Sequence, residues 1–153
     1  MKRKKQPALI LFILFLLLTL IAAGAFFIMT RPSYQAERVV DEFYTLEQEG
    51  EYNKSWELLH TSIQEKFAKG TYIQDRSHVF MNHFGADTFT FTIDGKKKRD
   101  NWKMEKDGEP FGVVYEMVVT QTYHGKYGHF LFTQFVYVTK EEGEWRILWD
   151  YNK

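Results

Sequence analysis

"FGVVYEMVVTQTYHGKYGHFLFTQFVYVTKEEGEWRILWDYNK", Phe111 to Lys153, is the stretch that decides the fold. Side chains alternate faces along a β-strand. Val113, Tyr115, Met117 and Val119 therefore face one way, and Val114, Glu116, Val118 and Thr120 the other. "YHGKYGH" turns the chain, "FLFTQFVYV" runs back, and "KEEGE" turns it once more into a closing strand. That strand sets Trp145, Ile147, Trp149 and Tyr151 on one side and a mostly polar set on the other. A ribbon with so aromatic a face must be covered by something.

The same period of two begins upstream, at "TFTFTID", where Phe89, Phe91 and Ile93 share a face and Asp94-Gly95 reads as a turn. In "KKKRDNWKMEKDGEP", Trp102 and Met104 alternate like a strand, while the surrounding charges suit an exposed edge or hairpin. Before Gly85 the period is near four. Ala36, Val39, Val40, Phe43 and Leu46 form one helical face, with Ser33 as N-cap and Gly50 as the stop. A shorter helix carries Tyr52, Trp56 and Leu59. Thr61 with Gln64 and Thr71 with Gln74 form capping-box pairs, separated by Gly70 as a terminator. The last helix is expected to run from about Tyr72 to His83, burying Ile73, Val79 and Phe80. Helices followed by a meander of four or five antiparallel strands define the α+β class, with three or four helices on a curved sheet.

The N-terminal part differs in kind. Ala8 to Thr30 carries no charge over 23 positions, roughly 35 Å as a helix and enough for a ~30 Å bilayer core. Lys2, Arg3, Lys4 and Lys5 precede it, so the tail 1–7 is expected in the cytoplasm and residues 31–153 outside, with 8–30 as the membrane anchor. The alternative is a cleaved secretory signal, with Ala23 and Ala25 in an A-x-A pattern and cleavage near Ala25. Against it, Phe26, Phe27, Ile28 and Met29 prolong the apolar run past that site.

No cysteine occurs, which excludes disulfides, a lipidated N-terminal cysteine and a cysteine nucleophile. All 20 acidic residues lie after Arg31 while five of the 20 basic ones lie at or before it, leaving 15 bases against 20 acids, or minus five, in the outer part. That balance gives no general attraction for nucleic acid.

No phosphate-binding glycine loop, zinc-protease histidine pair, calcium loop or nucleophile elbow is present. The five histidines read as surface or boundary residues, and no metal or other cofactor is expected. Glu37 and Asp41, four apart on the first outer helix, belong to its polar face. Lys96, Lys97, Lys98 and Arg99 are a candidate contact for an anionic polymer or headgroup, or a solvated turn. Aromatic residues number 27 of 153 and most lie in the outer domain, where they fill a core or line a pocket with Tyr115, Tyr137, Trp145 and Trp149 at its mouth.

The pieces "AERVVDEFYTLEQEGEYNKSWELLH", "FAKGTYIQDR" and "VVYEMVVTQTYHGKYGHFLFTQFVYVTKEEGEWRILWDYN" resemble the nuclear-transport-factor-2-like superfamily. More narrowly, they are similar to the non-catalytic N-terminal domain of methicillin-resistance-type penicillin-binding proteins. The resemblance rests on Gly50 to Tyr52, Lys69 to Ile73, and Trp145 with Trp149 and Asp150, and it implies a cone-shaped domain. The S-x-x-K, S-x-N and K-T-G motifs of the transpeptidase domain do not occur, so that activity does not carry over. The layout is also similar to single-span scaffold subunits of secretion and conjugation machines. The expected function is a non-enzymatic, membrane-anchored module binding a protein partner at the bacterial cell envelope, through an exposed apolar patch on the open sheet face. The alternative is a small-molecule-binding or isomerase-type enzyme using the cone's pocket, which needs a buried carboxylate and a hydroxyl facing one cavity.

Overall fold

The computed structural model describes residues 6–78, 85–86 and 88–151. The chain divides into two compact units, Met1–Gln35 and Ala36–Lys153. The first holds α1, Gln6–Met29. Its Leu9–Met29 segment has a mean hydropathy of 2.9 and by length and composition suffices to cross a membrane. The Thr19 hydroxyl on this run and the Thr30 hydroxyl just after it return to backbone carbonyls, Thr19 to Leu16 and Thr30 to Phe26, so neither needs water.

After α1 come four helices and one sheet among the described residues. The helices are α2 (Pro32–Gln48), whose first turn still belongs to the first unit, α3 (Tyr52–Glu57), α4 (Thr61–Gln64) and α5 (Lys69–Ser77). The strands are β1 (Phe89–Lys103), β2 (Pro110–Gly125), β3 (Gly128–Glu141) and β4 (Glu144–Trp149), antiparallel and in the order β1-β2-β3-β4. The α+β class and the meander are thus present, with four strands.

α2 begins at Pro32 rather than after a Ser33 cap, because proline's missing N–H is no loss in a first turn. It ends as expected at Gly50, whose φ of 76° allows Glu51 N–H to reach the Leu46 carbonyl and Gly50 N–H that of Glu47. The buried stripe is Ala36, Val40, Phe43, Tyr44 and Glu47, rotated from the expected one so that Leu46 is half-buried and Glu47 inside. The expected capping boxes do not form. His60 caps α4, and Gly70 lies inside the first turn of α5. The expected continuation of α5 to His83, with Val79 and Phe80, lies outside the described residues.

Asp94-Gly95 makes no hairpin. β1 runs straight through it with a register shift between Asp94 and Lys97, and Gly95 at φ 63° supplies the left-handed residue of a bulge. The "KKKRDNWK" segment is consequently strand, paired with β2 from Lys97–Glu116 to Lys103–Pro110. The β3–β4 turn is as the sequence suggested, with Glu142 at φ 51° and Gly143 at 92° joining Glu141 to Glu144.

One sheet face packs on the helices. Phe43 of α2 meets Trp149 edge-on at 6.2 Å, and Tyr44 meets Phe91 at 5.7 Å, over a floor of Met117, Val119, Tyr123, Val136, Val138 and Ile147. The free edge of β4 is closed by Leu58–His60, through His60 N–H to Ile147 O and Ile147 N–H to Leu58 O, both 2.9 Å. Among the described residues the opposite face is covered only at one end. There Trp102 stacks on Tyr137 at 4.1 Å, beside Phe111, and Leu148 is fully buried, so the polar side of the closing strand has an apolar centre.

Candidate functional site

Among the described residues the most buried charged group is Glu47, on the last turn of α2. Its carboxylate accepts hydrogen bonds from the Ser55 hydroxyl on α3, from the Tyr72 hydroxyl at 2.6 Å, and from Arg76, whose guanidinium also forms an ion pair with it. Tyr72 and Arg76 are four residues apart on α5, so one helix face presents both. Burial pushes the Tyr44 and Tyr72 phenols well above the ordinary range; Arg76 opposes this and the Glu47 charge adds to it. Burial works against the Arg76 charge too, but Glu47 and Tyr72 outweigh it and hold the guanidinium above its usual range. Tyr123, on the neighbouring strand, accepts from the Gln121 amide at 2.9 Å. The arrangement is a carboxylate saturated by three donors, a lock between α2, α3 and α5. Its sequence signal was Glu47 itself, which continues the apolar stripe three places after Tyr44 and four after Phe43; an acid on that stripe signals a buried pair.

The four residues expected around a pocket do not share one. Tyr115 and Trp145 do meet, edge-on at 5.7 Å, with the Lys140 ammonium 5.1 Å over the indole. Trp149 is packed in the core between Phe43 and Phe67, its indole N–H buried with no acceptor among the described residues. Tyr137 is one step out of phase with Val136 and Val138 and so lies on the other face, under Trp102. Burial, then the charge of Glu116, pushes its phenol up to about 12.

The basic run is largely neutralised by the domain's own acids. Lys96 pairs with Glu37 of α2, Lys98 with Asp100, and Arg99 grips Glu116 through Nε and Nη2, both 3.0 Å. Lys97 is the cross-strand partner of Glu116, on the same face as Arg99, and is exposed. Glu37 and Asp41 do not act together, since Glu37 is taken by Lys96 and Asp41 is exposed. An open groove of about 400 Å³ is lined by Glu57, Thr61, Gln64, Glu141, Glu144 and Arg146. Glu141 there is engaged by His60 and Thr61.

Apolar side chains are exposed on the β2–β3 hairpin: Leu131 at 67%, Phe135 at 55%, and Phe132 and Tyr127 beside them. β4 pairs only with Val136–Glu141, so among the described residues the β3 edge from Gly128 to Phe135 has no strand partner. Neither a protein-family model nor a curated protein matches this chain.

Proposed function

We propose that this chain is a single-pass, non-enzymatic binding module of the bacterial cell envelope, held by α1 with its N-terminus in the cytoplasm and docking a protein partner on the β2–β3 hairpin. The observation that carries the reading is the exposure of Leu131, Phe132 and Phe135 along an unpaired strand edge. Leu131 and Phe135 share the outer face and Phe132 projects from the other, so a partner segment lying along this edge meets exposed apolar side chains on both sides of it. An extended partner segment has both a backbone ladder and side-chain contacts to use there. Native sheets normally blunt such an edge with charge or proline, and Gly128–Phe135 contains no Asp, Glu, Lys, Arg or Pro. The resemblance to the accessory domain of penicillin-binding proteins is in keeping with a scaffold role.

A ligand-binding or isomerase role has the buried Glu47 beside Tyr72 in its favour. A general base must be free to take a proton, however, and Glu47 is bound by Arg76, Tyr72 and Ser55. The docking reading is tested by placing a photo-crosslinking residue at Leu131 or at exposed Lys106 in intact cells. An adduct with an envelope protein from position 131 and not 106 is expected; no adduct from 131 above the 106 background overturns the reading.

A further inference from the structure

We propose that His124 and His129 form a chelating pair for a divalent first-row transition ion, Cu²⁺ ahead of Ni²⁺ and Zn²⁺, on the outer face of the β2–β3 hairpin. The two residues are direct cross-strand partners. Both are exposed, their rings are 4.0 Å apart between centroids, and Nδ1 of His124 lies 2.9 Å from Nε2 of His129. Two imidazole nitrogens bound to one ion at ~2.0–2.1 Å, in adjacent positions at a right angle, stand roughly 2.9 Å apart. The spacing that now suits one shared proton therefore also suits one shared ion. Only the rings need turn, so that both lone pairs point to a common vertex, and at an exposed site nothing opposes that turn.

The backbone beneath is fixed. The adjacent pair, Tyr123 and Phe130, stacks at 4.9 Å with planes 6° apart on the covered face, holding the two strands together one residue from the histidines. Chelation by a preformed pair avoids most of the ordering entropy of bringing two ligands together. The next outer-face pair toward the sheet is Thr122 with Leu131, neither carrying charge, and the hairpin's lysine, Lys126, lies 4.9 Å over the Tyr127 ring. No group of three or more metal-ligating residues occurs among the described residues, so water completes the coordination. A two-nitrogen site of this kind follows the Irving–Williams order, which places Cu²⁺ first.

The inference does not depend on the docking reading: His129 lies on the same strand edge, but the site rests on two imidazoles and not on the edge's backbone or its apolar side chains. It is tested on the full chain in detergent micelles, purified without a histidine tag and titrated with Cu²⁺ alone. Electron paramagnetic resonance is expected to show two coordinated nitrogens. His124→Gln and His129→Gln should each weaken binding by tenfold or more, and His78→Gln should leave it unchanged. Binding should also weaken at acid pH, since the ion takes neutral imidazoles. Equal affinity in either hairpin variant, or a single-nitrogen spectrum, overturns the proposal. As a check that does not depend on variants, Cu²⁺ should raise the thermal midpoint of the natural chain, because it clasps two strands that unfolding separates. No rise at saturating Cu²⁺ would count equally against it.

Discussion

Two glutamate–arginine pairs, each beside a tyrosine, hold opposite sides of this domain, and they differ in what surrounds them. Glu47 and Arg76 lie between helices, with side chains 1% and 21% exposed. Glu116 and Arg99 lie on the sheet's outer face, at 12% and 41%. The first pair is enclosed and its carboxylate takes three donors; the second is bidentate but open to water along Arg99. Solvent screens the second attraction and leaves the first at nearly full strength. The difference teaches that the same two residue types serve as a structural lock in one place and as a surface brace in another, with burial deciding between them.

The sharpest way to break the comparison is Glu47→Ala. It leaves the Arg76 guanidinium without its counter-charge and Tyr72 and Ser55 without their acceptor, a loss expected at about 3–5 kcal/mol. Urea unfolding followed by tryptophan fluorescence measures it. Replacing both partners, as Glu47→Leu with Arg76→Met, should recover the part of that loss that comes from the unpaired guanidinium, since a buried pair is often no more stabilising than apolar side chains of similar size, while Tyr72 and Ser55 still lack their acceptor. If the double variant remained as unstable as Glu47→Ala, the lock would have to be something other than a pair.

Glu116→Gln should destabilise far less, and its clearer effect is on a neighbour. Burial first and Glu116 second raise the Tyr137 phenol to about 12. Removing the carboxylate charge should lower that titration without returning it to the ordinary value of 10, because the burial under Trp102 persists. The sign for stability follows. A phenol whose folded value is raised contributes stability that is full below 10 and is lost as pH climbs toward 12. Ultraviolet titration of the ionised phenol, with Tyr137→Phe as the blank, reports the shift; no movement in Glu116→Gln would mean that burial acts alone.

The sheet was legible because period-two patterning in residues 111–153 is long and the β3–β4 turn carries a glycine at its second position. Asp94-Gly95 misled because a left-handed glycine serves a bulge and a hairpin turn equally, and only the pairing of Lys97–Lys103 with β2 separates them. The four pocket aromatics were grouped by type, whereas phase along the strand decides the face; Tyr137 falls between Val136 and Val138 and must point away. Glu47 was hidden for a related reason. A glutamate on a helix reads as solvent-facing until its place in the stripe is counted, and the partners that make its burial tolerable are 8, 25 and 29 residues further along.

The smallest expected effect lies at a third charged contact, between the two pairs in exposure. His60 caps α4 by accepting the Ser62 N–H on Nδ1 at 3.1 Å, while Nε2 faces Glu141 at 3.2 Å. Glu141 favours the imidazolium, yet burial, with Arg146 also opposing, lowers the titration below the ordinary 6.5. The hydrogen bonds agree with that direction, because a protonated Nδ1 cannot accept the Ser62 N–H and would open the cap. The unfolded chain therefore binds the proton more readily, and the contribution of His60 is complete above 6.5 and is lost as pH falls from there through the folded value. Between neutral and mildly acid pH the natural chain should lose more stability than His60→Asn, which keeps a capping oxygen but does not titrate. Urea midpoints at the two pH values measure this. An equal loss in both chains would place the acid sensitivity elsewhere and leave His60 as a cap without a charge-dependent role.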